Sequence, residues 1–153
     1  TGWWFNMADT FFPFVGLPGD YISDIRTELP LLHEYAYDFT TNDFIIDPST
    51  NDIKVVTGLK ALEVWIYKAI LTDRFEYPIY SWDYGTELTD LIGQKFSKGL
   101  TESEAFRFIK EALMINPYIN DVNNLGIAFD GDTVTIQISV TSVYGEVKID
   151  VQR

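Results

Sequence analysis

Residues 59–72 read LKALEVWIYKAILT, and this stretch decides the fold. Leu59, Leu62, Trp65, Ile66, Ala69 and Ile70 recur at helical spacing, a stripe wide enough to pack a helix on a sheet. The same helix carries a second, narrower stripe of Val64, Tyr67 and Leu71. A helix apolar on two sides has two readings. Both faces belong to its own core, or one face belongs to another protein chain. The segment that follows, RFEYPIYSWDYGTEL (residues 74–88), places five aromatic rings between Arg74 and Leu88. Pro78 breaks any helix there. Gly85 permits a tight turn before Leu88, Leu91, Ile92 and Phe96 resume helical spacing.

Outward from this centre, the chain has 153 residues, enough for one domain with a substantial core. With 46% hydrophobic and 16% aromatic residues it has the material to fold and to bury surface against partners. Eleven basic residues stand against 23 acidic ones, a net charge of −12. Nucleic acid and anionic membrane are therefore unfavourable partners. There is no cysteine, which removes disulfides, thiolate chemistry and cysteine-based zinc sites. His33 is the only histidine, so no histidine pair can hold a metal. No metal or cofactor is expected. No apolar run reaches membrane-spanning length. The first residues lack the basic region and apolar run of a signal peptide, and Met7 fits a natural start, with Thr1 to Asn6 added upstream of it.

Residues 1–34 read as an aromatic arm. Pro13, Gly16, Pro18 and Gly19 prevent regular structure over its first part. Trp3, Trp4, Phe5, Phe11, Phe12 and Phe14 are costly to leave in water, so the arm lies on its own domain or on a neighbour. Residues 35–153 read as a single domain. YAYDF, FIID and IKVV are short strands, and Asp47-Pro48-Ser49-Thr50-Asn51 is turn chemistry that joins the last two in a hairpin. Ser97-Lys98-Gly99 reads as a stop after the second helix. Thr101-Glu102-Ser103-Glu104 reads as a capping box opening a third, with Thr101 as N-cap. Ala105, Phe108, Ile109, Ala112 and Leu113 form its apolar face, and Pro117 ends it.

The last third alternates with period two. Leu125, Ile127 and Phe129, then Val134, Ile136, Ile138 and Val140, then Val147, Ile149 and Val151 mark three strands. Asp130-Gly131-Asp132 supplies one tight turn and Tyr144-Gly145 lies near the other. The expected fold is α+β: a three-stranded antiparallel C-terminal meander covered by about three helices, with an N-terminal hairpin and the aromatic arm. The final strand of a short meander lies at an edge, where unpaired backbone groups can accept another chain's strand. An internal strand, or one covered by residues 35–56, is the alternative.

Asp73, Glu76, Asp83 and Glu87 flank the aromatic crossover. A carboxylate pair beside aromatic rings is the minimum apparatus of a glycosidase. In a chain this acidic, solvated surface charge explains them more simply. Asp121-Val122-Asn123-Asn124 and Asp130-Gly131-Asp132 offer oxygen ligands, but neither fits the twelve-residue calcium loop, and both read as turns.

Four motifs in order carry a family likeness. They are Val56-Thr57-Gly58-Leu59-Lys60-Ala61-Leu62 with Trp65-Ile66, Tyr80-Ser81-Trp82-Asp83-Tyr84-Gly85-Thr86-Glu87-Leu88, Ile109-Lys110-Glu111-Ala112-Leu113 followed by Asn116-Pro117-Tyr118-Ile119, and the paired terminal strands. Over residues 35 to 151 the chain resembles the baseplate wedge family of contractile phage tails, whose domain is labelled lysozyme-like. More narrowly it resembles the version in PBSX-type prophage tails and tail-like bacteriocins, which the Asp38-Phe39-Thr40-Thr41 segment also fits. The broader family often has Glu-Pro-Arg where this chain has Asn116-Pro117-Tyr118, so no salt-bridge role carries over there.

The resemblance implies a non-enzymatic structural component of the baseplate, assembled in the bacterial host cytoplasm. Its implied partners are wedge proteins and tail sheath, with tube and hub proteins as further candidates, and its terminal sheet starts sheath growth. Candidate partner-binding residues are Val64, Tyr67 and Leu71 on the helix and Trp82, Tyr84 and Gly85 in the crossover. Asn116, Pro117 and Tyr118 at the end of the third helix and Val147, Ile149 and Val151 on the last strand complete them. Two alternatives from other classes are a particle-borne cell-wall hydrolase using Glu76 or Glu87 with Asp83, and a sugar-binding module using Trp82 and Tyr84.

Overall fold

The computed structural model describes residues 28–92 and 98–153. The expectations for the aromatic arm before residue 28, and for Phe96 and Ser97, lie outside those residues. The described chain is α+β. Six very short strands come first: β1 (His33–Tyr35), β2 (Tyr37–Asp38), β3 (Asp43–Phe44), β4 (Ile46–Asp47), β5 (Asp52–Ile53) and β6 (Val55–Thr57). Helix α1 (Leu59–Leu71) follows, then a single 3-10 turn (Leu88–Leu91), helix α2 (Lys98–Met114), and the meander β7 (Ile119–Asp130), β8 (Thr133–Ser142), β9 (Gly145–Gln152).

The meander has the order β7-β8-β9, all antiparallel. Both helices lie on one face, α1 over β9 and α2 over β7. Alternation along β8 and β9 sends Val134, Ile136, Ile138, Val140, Ile149 and Val151 into the core. There they meet Leu62, Ile66 and Ile70 of α1 and Ala105, Ile109 and Leu113 of α2. Burying each such Ile or Leu stabilises by roughly 1.5–3 kcal/mol. Removing one of the α1 side chains would cost about 2–5 kcal/mol, because a cavity adds to the lost transfer energy.

Two helices cover the sheet among the described residues, rather than about three. The segment from Leu88 that carries helical spacing makes one 3-10 turn. Its bonds run from Asp90 N–H to Glu87 and from Ile92 N–H to Thr89 carbonyls. A period of three puts Leu88 and Leu91 on one side, and both are buried. Helix α2 begins at Lys98, three residues before Thr101, so Lys98-Gly99 does not stop a helix and Thr101 is not its N-cap. Ser103 Oγ instead donates to the Gly99 carbonyl one turn back, at 2.9 Å. The helix ends at Met114, ahead of Pro117 as expected.

Asp121 to Asn124 form no turn: they lie inside β7, paired with Thr141, Val140, Ser139 and Ile138. Register shifts around Asn120 and Leu125 break the period of two. Leu125 is thereby turned outward, 55% exposed, while Val122 and Ile127 remain buried.

The N-terminal strands pair as β1 with β6, β2 with β3, and β4 with β5. The expected turn at residues 47–51 is present. Asp47 carboxylate accepts Ser49 N–H at 2.8 Å, and Asn51 takes a positive φ of 57°. Bonds from Ala36 N–H to Lys54, Ile45 N–H to Ala36 and Lys54 N–H to Ile45 carbonyls join the three pairs into one layer.

Candidate assembly surfaces

The crossover after α1 is held by its backbone. Gly85 sits at φ +96°, and a Cβ there would lie 2.7 Å from the Thr72 carbonyl oxygen. This close approach brings Thr86 N–H to the Thr72 carbonyl (2.9 Å) and Arg74 N–H to the Thr86 carbonyl (3.0 Å). Arg153 then reaches in from beyond β9. Its guanidinium donates to the Ile70 carbonyl (2.9 Å), to Thr86 Oγ1 (3.0 Å), to Thr89 Oγ1 (3.0 Å) and to the Asp73 carboxylate. A cation on the last carbonyls of α1 is favoured by the helix dipole. Arg74, almost buried, bridges Glu87 and Glu111, each at 3.3 Å. Two of the four crossover carboxylates, Asp73 and Glu87, are thus ion-paired within the fold. The other two, Glu76 and Asp83, are exposed.

Beyond that clasp the crossover projects into solvent. Phe75 has φ +68°, a strained conformation for a bulky residue. It heads a loop on which Ile79 is 87% and Trp82 78% exposed. Phe75 and Trp82 rings meet at 5.6 Å, and Tyr80 lies on Tyr84 at 4.7 Å. Tyr84 in turn packs edge-on to Trp65 of α1 at 5.9 Å. Burial pushes the Tyr84 phenol up to about 12.

The Asn116-Pro117-Tyr118 segment is a tether for the chain leading into β1. Asn116 is buried and its Oδ1 accepts Tyr118 N–H at 3.0 Å, while Pro117 is exposed. Tyr118 stacks on Tyr144 at 5.7 Å. The Tyr118 hydroxyl donates to the Pro30 carbonyl (2.6 Å), and the Tyr144 hydroxyl accepts Leu32 N–H (3.0 Å).

Two residues of the second stripe of α1, Val64 and Tyr67, meet the chain's own N-terminal layer. Val64 is 8% exposed and Leu71 37%. Tyr67, half-buried, stacks on Phe39 with ring centroids 4.4 Å apart. Its hydroxyl donates to the main-chain carbonyl of Asp150 in β9, at 3.0 Å.

Strand β9 is an edge: among the described residues it pairs with β8 alone. Val134 and Arg153 exchange both backbone bonds, at 2.7 and 2.9 Å. With the register Ile136–Val151, Ile138–Ile149 and Val140–Val147, the groups of Val147, Ile149 and Val151 therefore face β8. Ile149 and Val151 side chains are buried and Val147 is half-buried. What faces outward is the backbone of the alternate residues, Glu146, Lys148, Asp150 and Gln152, all exposed. The candidate list from sequence named the inward set. The open groups belong to its neighbours, a distinction that needs the phase of the ladder. Tyr144, Phe39 and Arg153 also escaped it, since each acts through a partner distant in sequence.

Open strand backbone, an exposed aromatic loop and ion-paired carboxylates make up these surfaces, and together they define a protein suited to binding other chains. Residues 33–145 match the contractile injection system sheath initiator family, and the chain belongs to that family. It is similar to the phage-like element PBSX protein XkdS of Bacillus subtilis (strain 168), with 31% identity over 109 residues, 71% of this chain and 76% of the relative. It is thus a sheath initiator, a component of a phage-like contractile tail particle.

Proposed function

We propose that this sheath initiator starts sheath growth by accepting a strand of the first sheath subunit along β9. The observation that carries the reading is the one-sided pairing of β9, whose outward N–H and C=O groups lie at Glu146, Lys148, Asp150 and Gln152. An added strand satisfies such groups by ordinary ladder bonds. The alternating charges of Glu146, Lys148 and Asp150 discourage two such edges from pairing with each other. The contact with wedge proteins falls to the crossover, whose apolar patch carries the exposed Ile79 and Trp82, with Trp82 against Phe75 and Tyr80 on Tyr84. Gly85 shapes that patch through its close turn, and Asn116, Pro117 and Tyr118 act by tethering the chain that leads into β1. The protein works at the baseplate, where particles assemble in the host cytoplasm.

Lys148→Pro tests the reading. It removes an outward N–H at an edge, where proline is tolerated, whereas Ile149→Pro would cut the β8–β9 ladder itself. The expected outcome is a folded protein and baseplates that form without sheath. Normal sheathed tails from this variant would contradict the proposal.

A further inference from the structure

The open edge of β9 is not uniform along its length. Its outward groups fall at Glu146, Lys148, Asp150 and Gln152, and one of them is already in use. The Asp150 carbonyl accepts the Tyr67 hydroxyl at 3.0 Å. Among the described residues, no other hydrogen bond reaches the outward backbone of this strand. An N–H of an added strand would stand at nearly the same distance from that carbonyl. The phenol therefore engages the same carbonyl that the next strand's N–H would use at this rung.

Tyr67 is held there by more than its hydrogen bond. Its ring stacks on Phe39, with an interplanar angle of 22°. Phe39 lies against Tyr37 at 4.9 Å, and Tyr37 meets Phe44 edge-on at 5.2 Å. Asp38, beside Phe39, accepts Thr40 N–H at 2.8 Å and so fixes the loop that presents the ring. Burial raises the Tyr67 phenol above its ordinary value. The N-terminal layer thus braces a side chain of α1 against the edge of the C-terminal sheet.

We propose that Tyr67 is a register stop: the sheath strand pairs beside Glu146 and Lys148 and ends before Asp150. This rests on the edge reading above and adds to it the length and position of the accepted strand. Two open rungs lie ahead of Asp150, enough for a short, specific pairing. A longer or slipped strand has to displace the Tyr67 hydroxyl from the Asp150 carbonyl. Tyr67 is a positioning residue here, acting through its hold on one carbonyl.

Amide exchange at single-residue resolution tests this, with the full chain free and bound to the purified tail sheath subunit of the same particle. In the wild-type complex, Glu146 and Lys148 amides should slow about fivefold or more, as expected for one added hydrogen bond each. Asp150 and Gln152 should exchange as in the free protein. In Tyr67→Leu, the slowing should extend to Asp150. Slowing of Asp150 in the wild-type complex overturns the proposal, and this arm holds even if the variant fails to fold. An unchanged pattern in a folded Tyr67→Leu complex also overturns it. Bound sheath with no slowing anywhere on β9 would instead refute the edge reading itself.

Discussion

Gly85→Ala should be among the most damaging conservative changes outside the core. Gly85 sits at φ +96°, beyond the usual left-handed region. An L side chain there costs at least about 1–2 kcal/mol. The new Cβ would also lie 2.7 Å from the Thr72 carbonyl oxygen and 3.1 Å from Arg74 N, both backbone atoms that cannot swing away. Relief requires the two segments to part, which strains or breaks the Thr86–Thr72 and Arg74–Thr86 bonds at about 1 kcal/mol each. The total is about 3–4 kcal/mol. At about 2–4 °C per kcal/mol for a chain of this size, the melting temperature should fall by about 10 °C. Gly131→Ala is the internal control, since its φ is +61° and nothing lies within 4 Å of the added carbon. It should cost only about 1 kcal/mol. Denaturant and thermal unfolding of both variants would decide. If Gly85→Ala proved no more destabilising than Gly131→Ala, the close approach would not be what shapes the crossover.

Tyr118→Phe loses the hydroxyl bond to the Pro30 carbonyl but keeps the stack on Tyr144. Its expected cost is about 0.5–1.5 kcal/mol in urea unfolding, and a much larger loss would contradict a role confined to that tether. The raised Tyr84 phenol makes a pH prediction. Its folded value lies above the unfolded one, so its stabilising effect is complete below about pH 10 and is lost as pH rises through about 12. Tyr84→Phe should remove that part of the alkaline loss, as read from melting temperatures across the range; an unchanged profile would count against burial as the cause. Finally, the purified protein should leave the turbidity of a peptidoglycan suspension unchanged. Clearance that vanishes in Glu76→Gln or Asp83→Asn would restore the hydrolase reading.

Helix α1 and the last two strands were legible in the sequence because nothing interrupts their periods. Leu62, Ile66 and Ile70 recur at helical spacing, and Val134 to Val140 alternate without a break. The start of α2 was not, because Gly99 and the Thr101–Glu104 pattern are local signals for a boundary. The helix runs through both once its Ala105–Leu113 face is anchored on β7. The first half of β7 was hidden by its irregular register around Asn120 and Leu125, which destroys the alternation that identifies a strand. Leu88 and Leu91 fit both a helix and a 3-10 turn, since residues three apart share a face in either. For the candidate surfaces, the edge position of β9 follows from the order of a meander. The Tyr67–Asp150 and Arg153–Asp73 contacts do not, since each joins residues about 80 apart in the chain by side-chain reach alone.

The central claim is that β9 receives sheath by strand addition, and the most direct measurement is an electron cryomicroscopy map of the baseplate with its first sheath ring. The expected map shows a fourth strand, from a sheath subunit, hydrogen-bonded to the outward groups of Glu146 and Lys148. A map in which sheath contacts this protein elsewhere and leaves that edge to solvent would contradict it.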